Sequence, residues 1–183
     1  MNESLRTLSQ LLKLRYNVDR RISHLIGRPV EKGHIGAYIA STIFDIELNN
    51  KYSAKGGDGY FRSGPLAGKS VEVKFLIGDA LVDLKLNPDF DFYLVLKGPA
   101  SEAKNSRVPR SLAIETVYLF DARKLDRQQM LRNAGRGTAA SITKQQRDEA
   151  RIYPPTANAP MALSAEQLQM LALFSAEALK GVE

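Results

Sequence analysis

Asp58, Glu72 and Lys74 are the side chains of this sequence whose types and spacing best suit joint chemistry. The two acids stand fourteen residues apart, on either side of the turn-rich run Ser63-Gly64-Pro65-Leu66-Ala67-Gly68. That run suits a hairpin between two strands, 58–62 and 70–77. With Arg62 opposite Gly68, antiparallel register puts Asp58 directly across from Glu72. Facing residues have Cβ atoms about 4.5–5.5 Å apart, so both carboxylates could grip one cation. Alternation sets Glu72 and Lys74 on one face and turns Val71, Val73 and Phe75 toward the core. Two carboxylates are hard oxygen ligands for Mg²⁺ or Mn²⁺, which can acidify a bound water and neutralise a phosphate. A neighbouring ammonium can orient the attacking water or stabilise developing negative charge. The plain alternative is an exposed cross-strand charge cluster in which Lys74 only pairs with Glu72 or Asp58. A slip of one residue would separate the set.

The elements that must position these residues can be read outward from the hairpin. Leucines at 5, 8, 11, 12 and 14 predict an amphipathic helix over 3–14, and a second short helix is expected from Asp19 to Ile26. Gly27-Arg28-Pro29 breaks it. A helix from about Gly33 to Phe44 would bury Ile35, Ile39, Ile43 and Phe44, with Gly36, Ala37, Ala40 and Ser41 allowing close packing on a sheet. Strands are expected at 90–96 and 113–120, separated by a polar, basic loop over 99–111. The pattern turns helical again over 122–133. Thr143 with Gln146, and Ser164 with Gln167, match the capping-box spacing of helix starts. The last helix, about 164–180, is apolar on more than one face, which suits a core position and could also serve a homodimer interface. Helices around a run of strands predict an α/β sandwich on one mixed sheet. A single domain of 183 residues is expected, with N-terminal helices over 1–30, the core over 31–121 and a C-terminal helical extension over 122–183.

Composition removes several other chemistries. There is no cysteine, hence no disulfide, thiolate nucleophile or cysteine zinc site. His24 and His34 are the only histidines, too few for a multi-histidine metal centre and a poor basis for a Ser-His-Asp triad. No apolar run approaches the roughly 20 residues of a membrane span, and the start lacks a signal-peptide pattern, so a cytoplasmic protein without a membrane partner is expected. The net charge of +6 is unevenly spread: residues 31–96 hold seven basic and nine acidic side chains, while 97–155 hold twelve and six. A cation site flanked by basic segments suits a polyanion such as DNA. Solvated helix faces would give the same totals.

Gly57-Asp58 followed by Val71-Glu72-Val73-Lys74-Phe75 resembles the signature of the PD-(D/E)XK nuclease superfamily. Gly27-Arg28-Pro29, Gly33-His34-Ile35-Gly36, Ile43-Phe44-Asp45, Tyr93-Leu94-Val95-Leu96 and Ile152-Tyr153-Pro154-Pro155 extend the resemblance to a small bacterial group of that superfamily, across most of 20–155. The resemblance implies a restriction-endonuclease-like fold and Mg²⁺-dependent hydrolysis of DNA; an enzyme using Mg²⁺ or Mn²⁺ in restriction or another defence role is the leading expectation. It implies Asp58, Glu72 and the carbonyl of Val73 as metal ligands, and Lys74 as catalytic base or stabiliser. One position departs: the group carries Gly-Glu-Tyr where this chain has Gly36-Ala37-Tyr38, and a methyl group cannot bind a metal. Glu31 could substitute, or the chain is a nuclease-fold module that binds nucleic acid without cutting it. Candidate DNA contacts are Arg107, Arg110, Arg136, Lys144, Arg147 and Arg151, the last three assigned to the Thr143-capped helix, whose N-terminus could hold a phosphate. His34 is expected to cap or pack.

Overall fold

Residues 70–75 alternate polar and apolar along the chain, and the strand built on them lies inside the main sheet. The structure, a computed structural model, describes residues 2–49, 56–78, 82–85, 87–100, 111–132, 139–140 and 142–180. Six strands form one mixed sheet: β1 (Ile46–Leu48), β2 (Gly59–Phe61), β3 (Ser70–Leu76), β5 (Phe92–Lys97), β6 (Thr116–Asp121) and β8 (Arg151–Tyr153), in that spatial order. β4 (Val82–Asp83) and β7 (Ala139–Ala140) pair with each other in a separate ribbon. Neighbours in the main sheet are antiparallel except at one seam, where β3 runs parallel to β5 from Val71 beside Phe92 to Leu76 beside Lys97.

Both faces of this sheet are covered, which gives the α/β layering expected from the sequence. On one face Val71, Val73, Phe75, Leu94, Leu96, Val117 and Leu119 meet α2 (Lys32–Phe44) through Ile39, Ala40, Ile43 and Phe44, and α5 (Ala165–Ala172) through Leu171. α2 sits almost on the backbone here. A Cβ on Gly36 would lie 2.7 Å from the Cβ of Phe75, so the glycine sets how closely helix and sheet approach. On the other face Tyr93, Val95 and Phe120 pack with Val82, Leu84 and Phe90, and with Leu125 of α3 (Ala122–Leu131) and Ala150 of α4 (Lys144–Ala150).

The expected hairpin is present with its expected register. Gly59 pairs with Val71 and Tyr60 with Ser70, so the next positions out are Asp58 and Glu72. Both capping boxes are also present, Thr143 with Gln146 and Ser164 with Gln167.

Three expectations are corrected. The N-terminal helices are one helix, α1 (Glu3–Ile26); Asp19 is not a cap but pairs with Arg15 one turn back, Nε to Oδ2 3.5 Å. No proline or glycine lies between residues 3 and 26 to break it. The C-terminal extension is not purely helical, because Arg151, Ile152 and Tyr153 add β8 beside β6. A β-branched residue between two side chains with apolar stems was a weak strand signal next to a strong capping box. The last helix is split. α5 ends at Ala172, the Phe174 carbonyl accepts the Ile114 N–H at 2.7 Å, and α6 (Ala176–Lys180) follows. Leu171 is fully buried in the core, so α5 spends its apolar face on its own chain.

Candidate active site

Asp58 stands one residue before β2, at the point where the β2–β3 ladder ends. Its backbone N–H still donates to the Val71 carbonyl at 2.8 Å, and its own carbonyl accepts from the Asn49 N–H at 2.8 Å. The side chain then takes over from the missing ladder: Asp58 Oδ2 accepts the Val73 N–H at 2.8 Å. A residue's N–H and C=O lie on the same edge of a strand, so the Val73 carbonyl faces the Asp58 edge as well. Gly57 makes this possible. It has φ +86°, and a Cβ there would fall 2.6 Å from the Val71 carbonyl oxygen. Gly57→Ala is therefore expected to move Asp58 off Val73 and destabilise the protein by about 1–3 kcal/mol. A urea titration would read the loss, and an unchanged midpoint would remove this role for Gly57.

Glu72 projects from the face of β3 opposite α2 and is 6% exposed. Two ammonium groups hold it. Lys74 Nζ donates to Oε1 at 2.8 Å and Lys85 Nζ donates to Oε2 at 3.0 Å. Lys74 comes from two residues along the same strand. Lys85 arrives from the segment after β4, where Val82 and Leu84 are buried and Asp83 and Lys85 point out. Tyr93 fixes that segment from below: its hydroxyl accepts the Lys85 N–H at 2.8 Å, and its ring meets Phe90 edge-on at 4.7 Å. Burial pushes the Tyr93 phenol up to about 12, so it stays protonated. The Lys85 ammonium also lies 5.2 Å from the centre of the Phe90 ring.

The electrostatics of the two acids differ. Burial, then the nearby negative charge of Glu72, raise the Asp58 carboxyl above its usual range, against the Val73 N–H and the two lysines. Asp58 thus faces Glu72 closely enough to feel its charge and lacks full neutralisation. A cation between the two would supply it. The donor set of Asp58, Glu72 and the Val73 carbonyl is all hard oxygen, which fits Mg²⁺ or Mn²⁺ with several remaining positions for water or phosphate. Glu72 would have to release one lysine to take part. Lys85, 48% exposed on a flexible stem, is better placed to leave than Lys74 at 24%.

Lys74 meets Glu72, Asp58 lies near enough to Glu72 to feel its charge, and Lys85 reaches over Glu72 from the 82–85 segment. Lys85 was not anticipated, although the alternation Val82-Asp83-Leu84-Lys85 was a readable signal.

No protein-family model matches this chain, and no curated protein matches it. The site therefore stands on its own geometry. No helix among the described residues is long and apolar enough to cross a membrane.

At the helix position itself stands the methyl group of Ala37. Among the described residues no group of three His, Cys, Asp or Glu side chains gathers into a metal site. Ala37 is 6% exposed on α2, which covers the sheet face opposite Glu72 and Lys74. Glu31 is the exposed N-cap residue of α2 and makes no side-chain capping bond. His34 packs: it is buried, and its Nδ1 donates to the Pro29 carbonyl at 2.8 Å.

Three of the six basic candidates can be placed. Arg107, Arg110 and Arg136 fall outside the described residues. Lys144 is exposed beside Asp148. Arg147 is exposed and donates to the Ile142 carbonyl at 2.6 Å. Arg151 belongs to β8 rather than to α4, with its Nε buried and unpaired. The α4 N-terminus is no phosphate cradle, because Thr143 and Gln146 already satisfy each other there and the helix has only seven residues.

Proposed function

We propose that this chain is a divalent-cation-dependent nuclease of the PD-(D/E)XK type that hydrolyses DNA phosphodiester bonds, in restriction or another defence role. One observation carries the reading: Asp58, in the bend just before β2, lies near enough to Glu72 to feel its charge, with Lys74 Nζ 2.8 Å from Glu72 Oε1. A hairpin that aligns two acids and a lysine on a covered, mixed sheet is what a nuclease of this type requires. The order of helix α2, hairpin and parallel β5 agrees with a restriction-endonuclease-like fold.

In that reading Asp58, Glu72 and the Val73 carbonyl hold Mg²⁺ or Mn²⁺. When bound, the cation supplies a Lewis acid that acidifies water and offsets phosphate charge. The chain's own residues do the rest. Lys74, held by Glu72, presents an ammonium that can hydrogen-bond the attacking water or the charged phosphate oxygens. The Val73 N–H fixes Asp58 Oδ2, leaving Oδ1 for the ligand. Lys85, once freed from Glu72, becomes a second cation for the substrate backbone.

The test is an assay of the full chain on plasmid DNA, linear duplex, single strands and RNA, with Mg²⁺, Mn²⁺ or chelator. Cation-dependent nicking of DNA is expected, abolished by chelator and by Glu72→Gln. A second reading, a non-cleaving nucleic-acid-binding module, draws on Ala37 and on the lysines that occupy both oxygens of Glu72. Salt-sensitive DNA binding with no cleavage under any cation would establish it instead.

Either reading predicts that affinity for duplex DNA falls as salt rises, because each neutralised phosphate releases counterion. Removing Lys144 and Arg147 together should lower the slope of log affinity against log salt by roughly 2 if both touch phosphates. Fluorescence anisotropy at several salt concentrations measures this. An unchanged slope would make them solvated side chains only.

A further inference from the structure

The first helix carries an apolar surface that its own chain does not use. α1 has no buried residue, yet eight of the thirteen large apolar side chains exposed among the described residues lie on it, each 51–68% exposed. Its 24 residues span about 36 Å. A soluble helix of that length with an unpartnered apolar stripe calls for an occupant.

We infer that the occupant is a second copy of the same helix, packed antiparallel. Leu5, Leu8, Leu12, Arg15, Asp19, Ile22 and Ile26 recur at alternating spacings of three and four, the a/d pattern of a coiled-coil seam. An antiparallel two-fold pair holds the sum of facing residue numbers constant. With Asn17 as the midpoint, Leu8 faces Ile26 of the second copy, Leu12 faces Ile22, and Arg15 faces Asp19. The stripe is therefore complementary to itself in one direction.

Charge selects that direction. A parallel, in-register pair would stack Arg15 on Arg15 and Asp19 on Asp19. The antiparallel pair instead places one Arg15–Asp19 contact on each side of its centre. Within one chain the two already pair, 3.5 Å apart with side chains 78% and 42% exposed, so the dimer exchanges that contact for the one between copies. A central polar pair in an apolar seam is a device that fixes register. Ile22 and Ile26, half-buried, carry the seam to where α1 meets its own body near Ser23, whose hydroxyl donates to the Arg28 carbonyl at 2.8 Å. The second copy's first turns would end in that angle. This self-association does not depend on the nuclease reading.

The experiment uses the full chain. Sedimentation velocity should give a dimer that dissociates on dilution. Replacing Leu8 and Leu12 together by Lys should raise its dissociation constant more than about a thousandfold, since each contact removes two leucines per copy from cover. Both positions are exposed in the single chain, so the circular dichroism melt should keep a folded baseline. The absence of cysteine allows a directional test. Leu12→Cys mixed with Ile22→Cys should give the mixed disulfide, and neither variant alone should cross-link. Arg15→Asp should weaken the dimer, and Arg15→Asp with Asp19→Arg should restore it. A wild-type chain that stays monomeric at all concentrations overturns the inference. So does a Leu12→Cys self-cross-link, or a dimer indifferent to the leucine replacements.

Discussion

Asp58→Asn should abolish cation-dependent cleavage while raising the melting temperature of the cation-free protein. Asn keeps an oxygen to accept the Val73 N–H that Asp58 Oδ2 accepts at 2.8 Å. It removes an ionised group that burial and the Glu72 charge both disfavour. The sign follows from proton binding. The folded carboxyl titrates above its unfolded value, so the stability it contributes is complete below the unfolded pKa and is lost as pH rises through the folded one. At neutral pH the wild type therefore bears the cost of the charge, and the variant does not. The difference in stability between the two should grow as pH rises from the acid side through the Asp58 range, then level off. Divalent cation should reverse the ranking. A ligand at about a hundred times its dissociation constant adds roughly 2.7 kcal/mol to the state that binds it, and only the wild type should gain this. Calorimetry across pH, with and without Mn²⁺, reads each part. A melting temperature lowered by Asp58→Asn at neutral pH would mean that the carboxylate is already neutralised within the chain.

Glu72→Gln should lose cleavage equally but move stability the other way. Its carboxylate is the shared counter-charge of Lys74 and Lys85 at 2.8 and 3.0 Å. Hydrogen bonds to charged groups contribute about 1.5–3 kcal/mol where they are covered. Lys85 is half in water, so its share is discounted, and Gln can still accept from Lys74. A loss of about 1–2 kcal/mol is expected, roughly 2–8 °C in melting temperature for a chain of this size. Cleavage should fall below detection, since Glu72 is one of the acids that would hold the cation. Retention of cleavage by Glu72→Gln would sink the proposed mechanism while leaving the hairpin geometry intact. The opposed stability signs for two acids in one site are the sharper test, because general damage to the fold would move both variants downward.

The hairpin was legible because several local signals agreed. Pro65 and two glycines mark the turn, and Val71, Val73 and Phe75 alternate with polar residues. The buried side of β3 fixes the register, since a one-residue slip would turn Glu72 into the core. The caps at Thr143 and Ser164 were legible for the same reason: a hydroxyl and a glutamine three residues on can satisfy each other with no help from the rest of the chain. β1 and β8 were not read because each is three residues long and is a strand only through its neighbour. Lys85 escaped notice because its role depends on Tyr93, which lies eight residues on and on another strand. Ala37 was placed with the hairpin acids by analogy. Its helix instead lies against the Phe75 side of β3, as the approach of Gly36 requires.

The single parallel seam has a consequence for how the molecule is assembled. Strands β1, β2 and β3 come from residues 46–76, and β5, β6 and β8 from 92–153, so the sheet is two sequence-contiguous halves joined along one line. Glu72 and Lys74 belong to the first half, Tyr93 to the second, and Lys85 to the crossover between them. Asp58, Glu72 and Lys74 thus all come with the first half, and only the Lys85 contact needs the crossover and Tyr93. The crossover 77–91 is shorter than the connections 98–115 and 122–150 inside the second half, so the seam closes over a shorter stretch of chain than they do. Parting the halves should therefore free Lys85 from Glu72 while leaving Asp58, Glu72 and Lys74 together on the β2–β3 hairpin.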